Sequence, residues 1–565
     1  MCAIAGILGL TSDFQQEMTS MLEAQHHRGP DARGSLALNG FGILGHNRLS
    51  IIDLSDSANQ PFRSNDLRYF LVFNGEIYNY AELKKHLAPF YDFRTQSDTE
   101  VLLAAFIHWG KDCLHQFIGM FSFAIWDNQD KTLFAARDRF GVKPFHYGTK
   151  NGIFYFASEI KALWTAGFPK KANLSVWAGY LANGTYGMPH QTFWEDIVQL
   201  PGGHYLEWTE GSVTVHRWYD FESRVQVQPP LSEADAARQW TDLAMDSIRL
   251  RFRADVPVGF NLSGGLDSSL LLALVYQQMP AQDRIRAFTF YTGDDRYDEL
   301  PWVREMIHQT SFPLHPVQLD AAEVPALTKQ LSWFEDEPFG GIPTLAYAKI
   351  FQTARELGTL VLLDGQGMDE AWAGYDYYVK PTTSLVQGSR VSPLRPECLS
   401  PAFADFSKTP DFPRPFDNDL QNLQYRDLFF TKIPRALRFN DRASMMHSTE
   451  LREPFLDHRL VELAFSLPVA LKIKEGQQKW LARQIADTYL PAKVALAPKR
   501  PLQTPQREWL ATDLAYWAEE QITIATSLHL FEADAVHQAW TAYKNGNKDQ
   551  SFYIWQWISA AALLA

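Results

Sequence analysis

Cysteine is nearly absent: Cys2, Cys113 and Cys398 are the only three in 565 residues. Thiols this few and scattered build no disulfide framework and no CxxC metal site, a usage that suits a reducing cytoplasm. Basic charge is also in deficit. A formal charge of −13 disfavours nonspecific attraction to nucleic acid or anionic membranes, so neither is expected as a partner. Uninterrupted apolar runs are short. A bilayer span needs about 20 residues, and the C-terminal SFYIWQWISAAALLA falls short of that, so it reads as a docked terminal helix. The first apolar run, residues 3–10, lacks a basic flank and breaks at Thr11, Ser12 and Asp13, unlike a secretion signal. Repeats and low-complexity tracts are missing as well.

What is present describes a globular chain of more than one domain. Hydrophobic residues make up 46% and charged residues 21%, and the length exceeds a single ordinary core. GFGILGHNRLSIIDL, LRYFLVFNGEIYN and GMFSFAIWD read as strands, with AELKKHLAPF and SDTEVLLAAFIHWG as helices between them. This α+β pattern is expected over 2–208. A linker is expected over 209–230, where a proline pair occurs, followed by Ser232 and Asp235 as a capping signal for a long helix. From 231 to 565 the pattern changes. VPVGFNLSGG, RAFTFYT and LVLLDGQG are short apolar runs, two ending in glycine turns, as in an α/β parallel sheet with crossover helices. After about Tyr425 the chain reads as mostly helical.

The most specific local motif is NLSGGLDSSLLLALV, residues 261–275. A strand runs into Ser263-Gly264-Gly265-Leu266-Asp267-Ser268-Ser269 and then a helix. Glycines let backbone N–H groups approach an anion, and the helix N-terminus adds a favourable dipole. Ser263, Ser268 and Ser269 can donate to phosphate oxygens. Asp267 would repel phosphate directly, so it makes sense as a Mg2+ ligand. No lysine follows the glycines, which excludes the GxxxxGK[ST] loop. The motif resembles the SGGxDS loop of the N-type ATP pyrophosphatases. A second turn, LLDGQGMDEAWAGY, offers Asp369 and Glu370 as further acidic groups.

Cys2 has two readings. It is a small buried hydrophobe heading a first strand, or a nucleophile. Loss of Met1 would leave it with both a thiol and an α-amine of pKa about 7.7–8.0, able to act as a general base near neutrality. Acyl transfer would also need oxyanion donors, for which the Asn74–Gly75 pair qualifies, and charged groups such as Arg48 and Asp98 to hold a substrate.

MCAIAGILG, HHRGPD, HNRLSIID, NGEIYN, SDTEV and GMFSFAIWD with RDRFGVKP resemble the glutaminase domain of class II, N-terminal-nucleophile glutamine amidotransferases. Joined to SGGLDSS, they resemble the glutamine-dependent asparagine synthetase family over most of the chain. The resemblance implies sandwiched β-sheets with helices in the first half and an ATP pyrophosphatase domain with a helical C-terminal part in the second. It assigns Cys2 as nucleophile, Asn74 and Gly75 as oxyanion hole, and Arg48 as the group for the glutamine α-carboxylate. Glu76 and Asp98 would take the glutamine amino group, and the backbone of Leu49, Ser50, Ile51 and Ile52 would line the pocket. Leu262, Ser263, Gly264, Gly265, Asp267, Ser268, Ser269, Phe290, Asp364 and Gly365 match its ATP-contacting positions. Asp267 and Asp369 match its magnesium and pyrophosphate carboxylates, and Lys479 its cation near the reacting phosphates.

RFNDRASMMHSTELREPFLD resembles the family's later signature, with Asp441, Arg442, Glu450, Arg452 and Asp457 as groups that either hold the site or touch substrate. The resemblance also implies a dimer of the chain, and because free ammonia would become mostly ammonium in neutral water, an enclosed apolar passage between the domains is expected. One position departs from the pattern. Gln366 stands where the family carries glutamate, near-isosteric but uncharged, beside the acceptor. Aspartate is the family's acceptor. WFEDEPFGGIPTLAY with LLDGQG also resembles relatives that amidate uronic-acid sugars, which keeps a second acceptor class open.

Overall fold

The computed structural model describes residues 1–9, 14–226, 231–279, 285–379, 392–495, 504–546 and 550–565. Thr11, Ser12 and Asp13, and the last four positions of the expected linker, lie outside them. In chain order the strands of the first half are β1 (Ala3–Leu8), β2 (Ala32–Ala37), β3 (Gly42–Arg48), β4 (Phe62–Arg63), β5 (Tyr69–Ile77) and β6 (Gly119–Asp127), then β7 (Thr132–Arg137), β8 (His146–Lys150), β9 (Ile153–Ala157), β10 (Val198–Gln199), β11 (His204–Thr209) and β12 (Ser212–Arg217). They form two sheets, β10-β8-β9-β1-β3-β2 and β12-β11-β7-β6-β5-β4, with antiparallel pairing throughout.

The apolar run of β1 follows from its position between layers. Ile4 and Leu8 pack with Leu44, Val72, Trp126 and Phe156 between the two sheets. Ala5 and Ile7 face the other way, toward Met18 and Leu22 of the helix Gln15–Ala24. A strand with both faces covered is apolar along its whole length. On the far side, Leu71 and Phe73 of β5 pack with Val101 and Leu102 of the helix Asp98–Trp109. The layers are therefore helix, sheet, sheet, helix, the sandwich expected for this half.

The expected linker is partly structured. β12 closes the edge of the second sheet by pairing with β11 across Gly211, and Phe221–Gln226 is helical. The alternation SVTVHR behind a glycine turn is a hairpin signal that the neighbouring proline pair masks. Ser232 does cap the next helix, Glu233–Arg251, its hydroxyl accepting from the Asp235 N–H at 3.2 Å.

The second half holds a five-stranded sheet of β13 (Val258–Asn261), β14 (Arg286–Tyr291), β15 (Leu314–Gln318), β16 (Val361–Leu363) and β17 (Glu450–Arg452), ordered β15-β14-β13-β16-β17 and parallel throughout. From β13 the chain passes to β14 on one side and later returns to β16 on the other. The crevice at their carboxyl ends is a topological switch point, where open α/β sheets bind ligands. The loops after β13 and β16 are the two glycine turns of the sequence. The terminal helix Phe552–Leu564 docks with most of its surface buried, and Trp555 Nε1 donates to the Phe339 carbonyl at 3.1 Å. Among the described residues no helix is long and apolar enough to cross a membrane.

The halves meet through buried, paired charges. Arg28 Nη1 donates to Glu159 at 2.9 Å and to Asp441 at 2.8 Å. Arg442 Nη1 lies 3.2 Å from Glu159, and Lys161 Nζ 3.1 Å from Asp336. Burying such charges costs several kcal/mol per ion unless each has a partner, so these pairs fix how the halves sit together.

Candidate functional site

Two sites emerge, one in each half. Cys2 heads β1, which lies against β5 across the sandwich, and the Cys2 N–H donates to Asn74 Oδ1 at 3.0 Å. Cys2 Sγ lies 3.9 Å from the Leu49 carbonyl, and Arg28 Nε donates to the Cys2 carbonyl at 3.1 Å. Among the described residues, buried Asn74 Nδ2 has no hydrogen-bond partner. An orphaned buried donor costs about 1–3 kcal/mol, and this one belongs to the amide that touches Cys2. Gly75 has φ +155°, and a Cβ there would lie 2.1 Å from the Met120 carbonyl, so only glycine lets β5 run this close to β6. Burial pushes the Cys2 thiol up, against the opposing charge of the Met1 ammonium.

Around this thiol the acidic groups are strained. Burial, then the charges of Glu450 and Asp98, push the Glu76 carboxyl well above its ordinary range. Burial pushes Asp98 up to about 6, although its Oδ2 accepts the Ile77 N–H at 2.9 Å. Arg452 Nη2 lies 3.6 Å from Glu76 Oε2, and among the described residues neither of these buried atoms has a hydrogen bond. The Met1 ammonium sits 3.1 Å from Glu450 Oε2. Arg48 is anchored in its own loop, donating to Ser55 O and Asn59 Oδ1 at 2.8 Å each and to the Asp53 carbonyl. It thereby holds Leu49, Ile51 and Ile52 buried, while the Ser50 N–H donates to Asp31 at 2.8 Å.

The second site is a cavity of about 730 Å3 at the β13/β16 crevice. Ser263, Gly264, Gly265, Asp267 and Ser268 line one end, with Asp364, Gly365, Gln366 and Asp369 beside them. Lys479 joins the acidic groups. Its Nζ donates to Asp267 at 2.6–2.7 Å and lies 2.6 Å from Asp369 Oδ1. Burial alone would lower the Lys479 ammonium, but the two carboxylates outweigh it and raise it. Asp364 accepts from Asn261 Nδ2 at 2.7 Å and from the Gln366 N–H at 3.0 Å, and burial pushes it up to about 6. Leu262 and Phe290 line a narrow slot next to this end, with Tyr297 and Tyr347.

Some expected residues lie elsewhere. Ser269 is fully buried in the helix Leu266–Gln278 and is not on the cavity wall. Glu370 points away, accepting from Tyr375 OH at 2.6 Å, and burial raises it to about 7. Asp441, Arg442, Glu450, Arg452 and Asp457 line no part of the cavity. They form ion pairs beneath it, Asp457 with Arg251 at 3.0 Å and Arg459 at 2.9 Å.

Among the described residues no cluster of three or more His, Cys, Asp or Glu is placed to hold a metal through protein ligands alone. Asp267 and Asp369 nevertheless share one cation, the Lys479 ammonium, at 2.6 Å each. Magnesium is commonly held by one or two carboxylates together with substrate phosphates, so these residues fit that ion. The far half of the cavity was not foreseen from sequence. Tyr186, Phe430, Lys432, Arg435 and Phe439 line it. The usable signal was the i, i+3, i+4, i+7 spacing of Lys432, Arg435, Ala436 and Phe439, which puts all four on one helical face.

Comparison with known proteins follows the same division. Residues 1–219 match the glutamine amidotransferase domain model and residues 239–565 the asparagine synthase model. The chain is 28% identical to asparagine synthetase [glutamine-hydrolyzing] 1 of Bacillus subtilis, over 98% of this chain and 95% of that one. It is 30% identical to a putative asparagine synthetase [glutamine-hydrolyzing] of Mycobacterium tuberculosis, over 94% and 90%. An amidase, chyE, of Penicillium rubens is 27% identical over 88% and 86%. A solved B. subtilis glutamine phosphoribosylpyrophosphate amidotransferase aligns over 56% of this chain and 81% of that one, at 18% identity and a TM-score of 0.31.

Proposed function

The chain belongs to the glutamine-hydrolysing asparagine synthetase family, and from that premise we propose which residues carry its two half-reactions and which acceptor it amidates. It is a glutamine-hydrolysing ligase of the asparagine synthetase type, with glutamine as amide donor.

In the first half-reaction Cys2, freed of Met1, attacks the glutamine side-chain amide. Its own α-amine takes the thiol proton, which answers the raised thiol pKa. Asn74 Nδ2 and the Gly75 N–H stabilise the oxyanion, and the thioester forms as ammonia leaves. Water then releases glutamate. Glu76 and Asp98 receive the substrate ammonium, and Arg48 with its loop receives the carboxylate. The single observation that carries this reading is the unpartnered Asn74 Nδ2 beside Cys2.

In the second half-reaction an acceptor carboxylate attacks the α-phosphorus of ATP and expels pyrophosphate. The adenine lies beside Leu262 and Phe290, and the phosphates lie on Ser263, Gly264, Gly265 and Ser268. Mg2+ bound at Asp267 and Asp369 would neutralise the phosphate oxygens. Lys479 turns from those carboxylates to the phosphates as charge develops there. Ammonia then attacks the acyl-adenylate, giving the amide and AMP. Adenylation is needed because a bare carboxylate repels the nucleophile and lacks a leaving group.

Aspartate is the acceptor supported by the family. A uronic-acid sugar is the second reading, supported by Gln366, whose neutral side chain lines the cavity and offers no anion to an amino-acid ammonium. A screen of acids with ATP, magnesium and glutamine, scored by pyrophosphate release and product mass, tests both. Aspartate giving asparagine supports the first. Release only with uronates overturns it.

A further inference from the structure

Among the described residues, the far half of the cavity carries two cations outside any ion pair, with the Arg426–Asp427 pair also on its wall. Lys432 and Arg435 open the helix Lys432–Met445 and line the cavity, and among the described residues neither has an ion-pair partner. The nearest carboxylates bond to other groups, although among the described residues Glu370 Oε2 makes no hydrogen bond. Asp427 accepts from Arg426 Nε and Nη2 at 3.0 and 2.8 Å, from Thr431 Oγ1 at 2.6 Å, and from Tyr377 and Tyr378 hydroxyls at 2.7 Å each. Arg438, one turn along, donates to Glu337 at 2.7 Å and to the Pro338 carbonyl. Glu370 is bonded to Tyr375.

Instead of carboxylates, the two free cations have rings. Lys432 Nζ lies 5.0 Å from the Tyr375 ring centre and 5.4 Å from that of Tyr377, and Arg435 Cζ lies 5.4 Å from that of Tyr186. The helix adds to the field. Its N-cap, Thr431, lines the cavity and makes no capping bond because its hydroxyl is held by Asp427, so the positive end of the dipole lies at the cavity wall. Burial, then the charge of Arg435, pushes the Lys432 ammonium down to about 8, against the opposing charges of Asp427 and Glu370. The cluster is close to the chemistry. Tyr375 follows Gly374, where a Cβ would lie 2.1 Å from Asp369 Oδ1 and 2.3 Å from Lys479 Cε. One tyrosine therefore separates the reacting phosphates from Lys432.

Resting on the amidotransferase reading above, we propose that Lys432 and Arg435 form an acceptor-recognition subsite for a second anionic group, a carboxylate or a phosphate, on the acid that is adenylated. The first carboxylate meets ATP at Asp369 and Lys479, and the second anion sits beyond Tyr375, against the aromatic wall of Tyr186 and Phe439.

The test uses the full chain with ATP, magnesium and hydroxylamine or ammonium, and measures pyrophosphate release. Acceptors are supplied in matched pairs: aspartate against its α-carboxamide, and a nucleoside-diphosphate uronic acid against the free uronic acid. The pair that shows the larger preference identifies carboxylate or phosphate as the anion. Wild type is expected to prefer the doubly anionic member. Arg435→Gln and Lys432→Gln are each expected to raise its KM by about tenfold, the size of a lost charge-assisted hydrogen bond. Arg435→Lys is expected to recover part of that loss, and the KM for ATP reports whether the phosphate end is intact. Equal KM values for wild type and both glutamine variants would overturn the subsite, as would equal use of both members of every pair. If none of these acids releases pyrophosphate from wild type, the proposed acceptors fall and the subsite with them.

Discussion

Arg452 Nη2 stands 3.6 Å from Glu76 Oε2, joining a strand of the nucleotide-binding sheet to the wall of the Cys2 site. The same guanidinium donates from Nε to Glu450 at 2.6 Å, and its backbone carbonyl accepts the Asp364 N–H at 2.9 Å. One residue thus touches the group proposed for the glutamine ammonium and the loop beside the ATP cradle. Arg452→Gln leaves buried Glu76 without its nearest cation and takes one of two from Glu450, a loss of about 3–5 kcal/mol. A lower denaturant midpoint together with a raised KM for glutamine is expected, and Arg452→Lys is expected to restore part of both. A variant with unchanged glutamine kinetics would remove Arg452 from the Cys2 site.

The acidic pair beside Cys2 gives glutamine use a pH signature. Burial holds Asp98 up at about 6 and Glu76 higher than its usual range, yet both must be ionised to hold an ammonium. Glutamine KM is therefore expected to rise as pH falls through about 6. For stability the sign is opposite. A carboxyl whose folded pKa is raised favours the native state below its unfolded pKa, and that contribution is lost as pH rises through the folded value. Asp98→Asn is thus expected to unfold at higher denaturant than wild type at pH 7 while binding glutamine more weakly. Both are read from one purified variant.

Asp267 and Lys479 form a contact that the nucleotide chemistry must rearrange. Asp267→Ala is expected to lower amide formation by at least about a hundredfold, whether nitrogen comes from glutamine or from ammonium, while glutaminase activity at Cys2 persists. Parallel assays of glutamate and amide decide this. Loss of both together would mean that the substitution disrupts the fold rather than the cradle.

Met1 supplies a further test. Its ammonium is fully buried against Glu450, and while it remains Cys2 has an amide nitrogen in place of an amine. Intact-mass analysis of fractions that differ in Met1 removal is expected to show glutaminase activity tracking the processed form. Full activity in a Met1-retaining fraction would exclude the α-amine as base.

The parts legible in the sequence are those that are contiguous. SGGLDSS carries its strand, turn and helix within residues 261–275, so its place at a switch point follows from local pattern. Asn74 and Gly75 sit next to each other for the same reason. What stayed hidden depends on packing between the halves. Met1 and Glu450 are 449 positions apart, and nothing local in ELREPFLD says that Glu450 and Arg452 face the Cys2 site. Ser269 was read as a phosphate donor because it follows Ser268, but helical geometry turns it about 100° away and into the core. Lys432 and Arg435 belong to no motif in the sequence, and only the fold places them on the cavity wall.

The central claim is that nitrogen freed at Cys2 is used at a separate nucleotide site in the same chain. Cys2→Ala, assayed for amide product with glutamine and then with ammonium, tests it most directly. The account predicts no product from glutamine and undiminished product from ammonium. Product from glutamine at the wild-type rate would contradict it.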